Sequence, residues 1–302
     1  VAYGVVSVGI MAGTGVARMR RVGGASAPDA APRAALHPDL RQFALAMGLA
    51  VLGFWGYYTL LVLALRDAGP EVPTLIIGTI PLWVMVLGKP GHLRWRTVLP
   101  GLALTAAGLA IMVIATGGES AGAVAGGAAT HDAAQGASAM AGPAAAAAGS
   151  VAPFWRGVAL ATVSMACWTA FALLNSRWLR RHPQVATTDW ANWLGVATGL
   201  GALGLWAVAG SPVAEIAARP GLGLYLVLCA STGLGSAWLA TVLWNLASRR
   251  LSASLCGQLI VSETLFALLY AFLLEGRWPT PAQGLACILF TLGILASVRA
   301  QR

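Results

Sequence analysis

Glu263 is a carboxylate near the middle of an apolar run from Leu251 to Leu274. A charge at membrane depth costs about 2.5–3.5 kcal/mol on insertion scales unless it is paired, hydrated or protonated. Such a group reads as functional: it binds a cation or exchanges a proton. The plainer alternative is a protonated acid that ties two helices together through a hydrogen bond. Residues about seven apart share a helical face, which aligns Ser252, Cys256, Glu263 and Tyr270 on a side that is expected to look inward. On the preceding run Ser231, Gly235, Trp238, Thr241 and Asn245 align. Earlier in the chain Trp55 and Tyr58 take the places of Trp238 and Thr241, and Ser164, Trp168 and Asn175 share a face of another run. Aromatic faces with polar tips suit flat or cationic organic solutes through stacking and cation–π contact. Singly, each of these residues is better explained by packing; as a set they read as a cavity lining.

These side chains must be positioned by membrane helices. The chain has 302 residues, 58% hydrophobic and only 10% charged, against about 25% charged in soluble domains. The apolar residues fall in runs of membrane-spanning length. The expected fold class is therefore an all-α polytopic membrane protein. Nine spans are read, at about Val1–Ala17, 42–65, 74–88, 98–117, 157–176, 190–210, 222–246, 251–274 and 282–298. Val1–Ala17 lacks the basic start of a signal peptide and is read as a helix. Pro73, Gly78 and Pro81 predict a kink in the third span, and Gly195-x-x-x-Gly199 predicts close packing, either inside the bundle or in a homodimer.

The basic residues report topology. Alternate loops hold 15 of the 19 Lys and Arg residues, and the loops between them hold 4. The positive-inside rule then places the C-terminus of this multi-pass chain in the cytoplasm. The net charge of +9 builds no continuous basic face, so nucleic acid is not expected as a partner; the lipid bilayer and a small-molecule substrate are. Trp95, Trp155, Trp178, Trp190, Trp193 and Trp278 fall at span ends and read as interfacial anchors. The four cysteines are scattered inside spans and the four histidines sit in loops without metal-ligand spacing, so neither disulfides nor a metal site is expected. Hydrolase, metalloprotease and phosphate-loop motifs are missing. The expectation is a protein that is not an enzyme and needs no cofactor.

An internal repeat organises the spans. A shift of 183 residues carries Trp55 onto Trp238, Arg66 onto Arg249, Arg94-Trp95-x-Thr97 onto Arg277-Trp278-x-Thr280, and Gly101-Leu102-Ala103 onto Gly284-Leu285-Ala286. Equivalent spans are five apart in the chain, an odd number, which gives the matched units opposite orientation. Residues 1–117 form the first repeat and 155–302 the second. The Ala/Gly-rich stretch 118–154 between them reads as a disordered external linker. The first repeat has four helices against five in the second, which suggests a first helix missing from this chain.

These repeats resemble the EamA-like exporters of the drug/metabolite transporter superfamily. The resemblance rests on the helix break Ala64-Leu65-Arg66-Asp67-Ala68, its echo Ala247-Ser248-Arg249-Arg250, and Leu-Leu-Glu-Gly-Arg at 273–277 before a Gly-led last helix. It implies ten helices, cytoplasmic termini, a bacterial inner (plasma) membrane and export of small metabolites or drugs through a central cavity. The chain departs from the pattern by the absent first helix and by Pro90-Gly91-His92-Leu93, which lacks the acid at the matching position. A non-transporting helper subunit or an inactive truncated fragment is the competing reading.

Overall fold

A computed structural model of the chain describes residues 2–22, 40–69, 71–88, 91, 94–116, 151–275 and 278–300. Every regular element among them is helical, as apolar surroundings demand, because a helix satisfies its backbone groups internally. In chain order these are α1 (Ala2–Val22), α2 (Leu40–Gly53), α3 (Trp55–Ala68), α4 (Glu71–Gly78), α5 (Ile80–Leu87), α6 (Trp95–Thr116), α7 (Val151–Arg181) and α8 (Thr187–Ala209). There follow α9 (Val213–Ala217), α10 (Leu222–Thr232), a π-helix (Gly233–Leu239), α11 (Ala240–Arg250), α12 (Ala253–Glu275) and α13 (Pro281–Ala300). Among the described residues, Leu40–Ala68, Ala152–Arg181, Thr187–Ala209, Leu222–Arg250 and Pro281–Ala300 are each long and apolar enough to cross a membrane. Ala2–Thr14, Val72–Leu87 and Trp95–Ile111 are shorter apolar helices. The linker expected over 118–154 lies outside the described residues as far as 150, and its last residues belong to α7, which begins at Val151.

Local chemistry sets the helix ends and breaks. Ser252 caps α12, its Oγ accepting the Leu255 amide at 3.1 Å. Thr280 and Gln283 form a reciprocal capping box at the start of α13, with bonds of 3.0 and 3.3 Å. Gly69, at φ 73°, ends α3 in the left-handed region that a side chain would resist. The second span bends at Phe54, between α2 and α3. The third is two eight-residue helices that meet at Thr79, with Pro81 in the first turn of α5. The seventh carries the π-helix, a wider turn that frees backbone groups and is rare outside functional segments.

The chain forms two compact units, one of Val1–Trp55 with Arg177–Arg249, the other of Gly56–Ser176 with Arg250–Arg302. Each draws on both sequence halves, so 1–117 and 155–302 are divisions of sequence and not of compact bodies.

In the first unit α1 lies along α8. Small residues let the backbones meet: a methyl built on Gly199 would stand 2.9 Å from the Gly4 Cα. The Tyr3 hydroxyl donates to the Ala191 carbonyl at 2.7 Å. Arg249 donates to the carbonyls of Pro183 and Val185, fastening the end of α11 to the turn between α7 and α8. Trp178 stacks between His182 and Trp190, at 4.5 and 3.7 Å between ring centres. Trp190 is buried in that stack and does not anchor an interface, because its flat face is covered by another ring.

In the second unit α6 runs along α13 and α5 along α12. Gly101, Gly108 and Gly293 make the first approach close, with Phe290 and Ser297 filling the space opposite them. Gln258 reaches from α12 to donate to the Thr105 hydroxyl at 2.8 Å. A carboxylate–guanidinium pair, Asp67 with Arg156 at 2.7 and 2.8 Å, joins the end of α3 to the start of α7.

Candidate functional site

The sequence-derived candidates divide between the two units. Trp55, Trp238, Thr241 and Asn245 belong to the first. Trp238 sits in the π-helix, and its indole N–H donates to the Asn192 side-chain oxygen on α8 at 2.8 Å. Thr241, one turn on, donates to the Ala237 carbonyl at 2.7 Å, satisfying one acceptor of the widened turn. Asn245 is fully buried. The indole of Trp55 lies so close over Gly201 of α8 that a methyl there would collide with it. Helix α8 therefore fixes both tryptophans, one by a hydrogen bond and one by the lack of a side chain.

Glu263, Cys256, Ser252, Tyr270, Tyr58, Trp168 and Asn175 belong to the second unit, with Gly78 and Pro81. Glu263 is half-buried on α12, and among the described residues it has no hydrogen bond and no ion pair. Cys256 and Asn175 are buried. Tyr58 meets the ring of Tyr57 edge-on, 5.0 Å between centres, and Trp168 meets Phe171 the same way at 6.4 Å.

Two members of the polar face on α12 differ from the inward-looking expectation. Ser252 is spent as the helix cap. Tyr270 is 62% exposed, beside exposed Phe266, Leu269 and Leu273. The reason is packing: α12 is covered along its first half, where Gly257 sits against Val84 of α5, and its second half presents large apolar side chains outward.

Tyr57 is a residue that the spacing argument misses. It is 1% exposed, and its hydroxyl has no hydrogen-bond partner among the described residues. Its backbone carbonyl accepts from the Ser164 hydroxyl at 3.0 Å, which holds α3 against α7. Asn192 and Gly201 are missed likewise. Only the Trp238 indole and the Trp55 ring, neighbours in space, give them meaning.

Comparison with known proteins adds an identity to this geometry. The inner membrane protein YtfF of Escherichia coli (strain K12) is 30% identical over 274 residues, covering 86% of this chain and 77% of that protein. The chain belongs to the YtfF family of inner membrane proteins. No family model matches it. A protein of known crystal structure shares its fold at a TM-score of 0.63, with 19% identity, over 100% of this chain and 85% of that one.

Proposed function

We propose that this YtfF relative is a secondary transporter of the EamA-like, drug/metabolite type, which exports a small organic solute by alternating access of two inverted repeats. The observation that carries the reading is Glu263: a carboxylate midway along an apolar helix, without a hydrogen bond or ion pair among the described residues. A resting structural role would provide it with a partner, since an unpaired embedded charge is costly. A carboxylate that takes up and releases a cation or proton in each cycle needs no fixed one.

Packing supports the inverted repeat. Helices related by the 183-residue shift lie against each other: α1 with α8, α5 with α12, α6 with α13. Contact between equivalent elements is what a pseudo-two-fold axis produces at its centre. The shift also carries the bend at Phe54 onto Ala237, inside the π-helix. Equivalent helices thus break at equivalent positions, and broken helices near mid-membrane line transport sites. The Lys and Arg distribution supports a cytoplasmic C-terminus in the inner membrane.

Purified protein in liposomes tests the proposal. Under an imposed proton gradient the wild type moves a solute found by a growth screen against a compound panel. Glu263→Gln, which keeps shape and removes charge, reduces flux at least tenfold with normal insertion. Equal flux from the variant removes Glu263 from the mechanism.

A further inference from the structure

We propose that the carbonyl end of α4 and the Glu263 carboxylate of α12 together form a binding site for a sodium ion. The inference rests on the transporter reading and adds its coupling ion.

The helix break at Thr79 leaves backbone acceptors over. Pro81 has no N–H, so the Ile77 carbonyl loses the bond that a continuous helix would give it. The Leu82 amide, which would serve the Gly78 carbonyl, donates to the Thr79 carbonyl at 3.0 Å instead. The Thr79 amide and hydroxyl both turn to the Ile76 carbonyl, at 3.1 and 2.7 Å. Among the described residues the carbonyls of Ile77 and Gly78 therefore accept no hydrogen bond. Ile77 is buried. Carbonyls buried in an apolar segment need a partner, and the carbonyl end of a helix favours a cation.

Helix contact brings Glu263 to the same level. Helix α5 runs along α12 within one compact unit. A methyl built on Gly88 would stand 2.8 Å from the Ala253 side chain, and one built on Gly257 would stand 2.9 Å from Val84 and 3.0 Å from the Met85 amide nitrogen. The two helices are thus antiparallel, and the register that pairs Gly257 with Val84 sets Glu263 level with Gly78, the last residue of α4. Cys256, next to Gly257 on this seam, is buried. Glu263 lies seven residues on, along the same face of α12. Its carboxylate has no hydrogen bond or ion pair among the described residues.

The donor set selects the ligand. One carboxylate and neutral carbonyls offer hard oxygens and a single negative charge, which an alkali cation balances; carbonyls freed at helix breaks hold sodium in this way. A divalent ion calls for more charged ligands, and no group of three His, Cys, Asp or Glu able to hold one occurs among the described residues. An anion is repelled by the carboxylate and by both carbonyls. A proton on Glu263 gives one carbonyl a donor and leaves the other without. Sodium and a proton are alternative occupants of the one carboxylate, so a proton gradient acts through the same site.

The test is equilibrium binding of radioactive sodium to the full chain in detergent at fixed pH, with choline as the control cation. Wild type is expected to bind a single sodium ion saturably, and Glu263→Gln to lose it. Pro81→Ala returns an N–H to the Ile77 carbonyl and weakens sodium about tenfold, the value of one bond to a charged group. No saturable binding by wild type, binding that survives in Glu263→Gln, or unchanged affinity in Pro81→Ala overturns the assignment. Should Pro81→Ala fail to fold, thermal unfolding decides: sodium in place of choline raises the midpoint of the wild type and not that of Glu263→Gln, and equal shifts overturn the site. Solute flux under a proton gradient without sodium binding overturns the site and leaves the transporter reading intact. Sodium binding without flux of any solute does the reverse.

Discussion

Trp238 and Asn192 illustrate how much one hydrogen bond settles in an apolar bundle. The indole N–H has to be satisfied away from water, and the asparagine oxygen on α8 does so at 2.8 Å. Interhelical bonds of this type in membranes are worth about 0.6 kcal/mol on average and up to about 1.7 kcal/mol, because the unfolded chain in lipid also finds partners. A double-mutant cycle with Asn192→Leu and Trp238→Phe is therefore expected to give a coupling of about 0.5–1.5 kcal/mol in reversible unfolding from mixed micelles. A coupling of zero means that the bond does not hold the indole. At this scale the sequence was informative about residue types and blind to partners. It pointed to Trp238, Trp55 and Glu263 as chemically capable side chains. It could not distinguish Tyr57 from Tyr58, because adjacent tyrosines on a helix differ only in the direction they point, and direction has meaning only against neighbours. Ser252 shows the converse: a hydroxyl on the right face whose position just before the first turn of α12 commits it to capping.

Among the helices, small residues decide who meets whom. Gly195 and Gly199 bring α8 onto α1, where Gly4 and Ser7 receive them. The motif thus serves packing inside one unit. A backbone cannot retreat as a side chain can, so Gly199→Leu, with Gly4 opposite at contact distance, is expected to destabilise by about 1–3 kcal/mol or more. Gly204 has open space around its Cα, and Gly204→Leu is expected to have little effect. Thermal unfolding of the two variants in the same detergent measures the contrast; equal midpoints would show that the approach of α1 to α8 is not tight. The breaks at Phe54, at Thr79 and in the π-helix belong to this scale too. Pro81 and Gly78 mark the second of these in the sequence. The π-helix has no such marker, since Gly233-Leu234-Gly235-Ser236 reads as ordinary membrane helix; Trp238 within it and Thr241 just after it make their bonds to Asn192 and Ala237.

For the whole molecule, inverted orientation of the two repeats is the claim on which the transporter reading depends. Reporter fusions after Ala64 and after Ala247 are expected to report opposite sides of the membrane, the first outside and the second cytoplasmic, in line with the asymmetry of 15 against 4 basic residues. The same compartment at both points would end the reading. The compact units do not follow the division of the sequence into halves. Each combines segments from both halves, with α1 along α8 in one unit, and α5 along α12 and α6 along α13 in the other.

By itself the sequence determined that this chain is a helical membrane protein, where its apolar runs lie, and which charges were few enough in those runs to matter. These are properties of composition along a line, and the bilayer reads them locally: a run is apolar and long enough to span, or it is not. Which helices touch, which face of α12 is covered, and why Trp190 and Tyr57 are buried and Tyr270 exposed were decided by the tertiary structure alone. In a helix apolar on every side, hydrophobicity cannot tell a protein-facing residue from a lipid-facing one. That distinction comes from the close fit of small residues and a few hydrogen bonds between segments far apart in sequence.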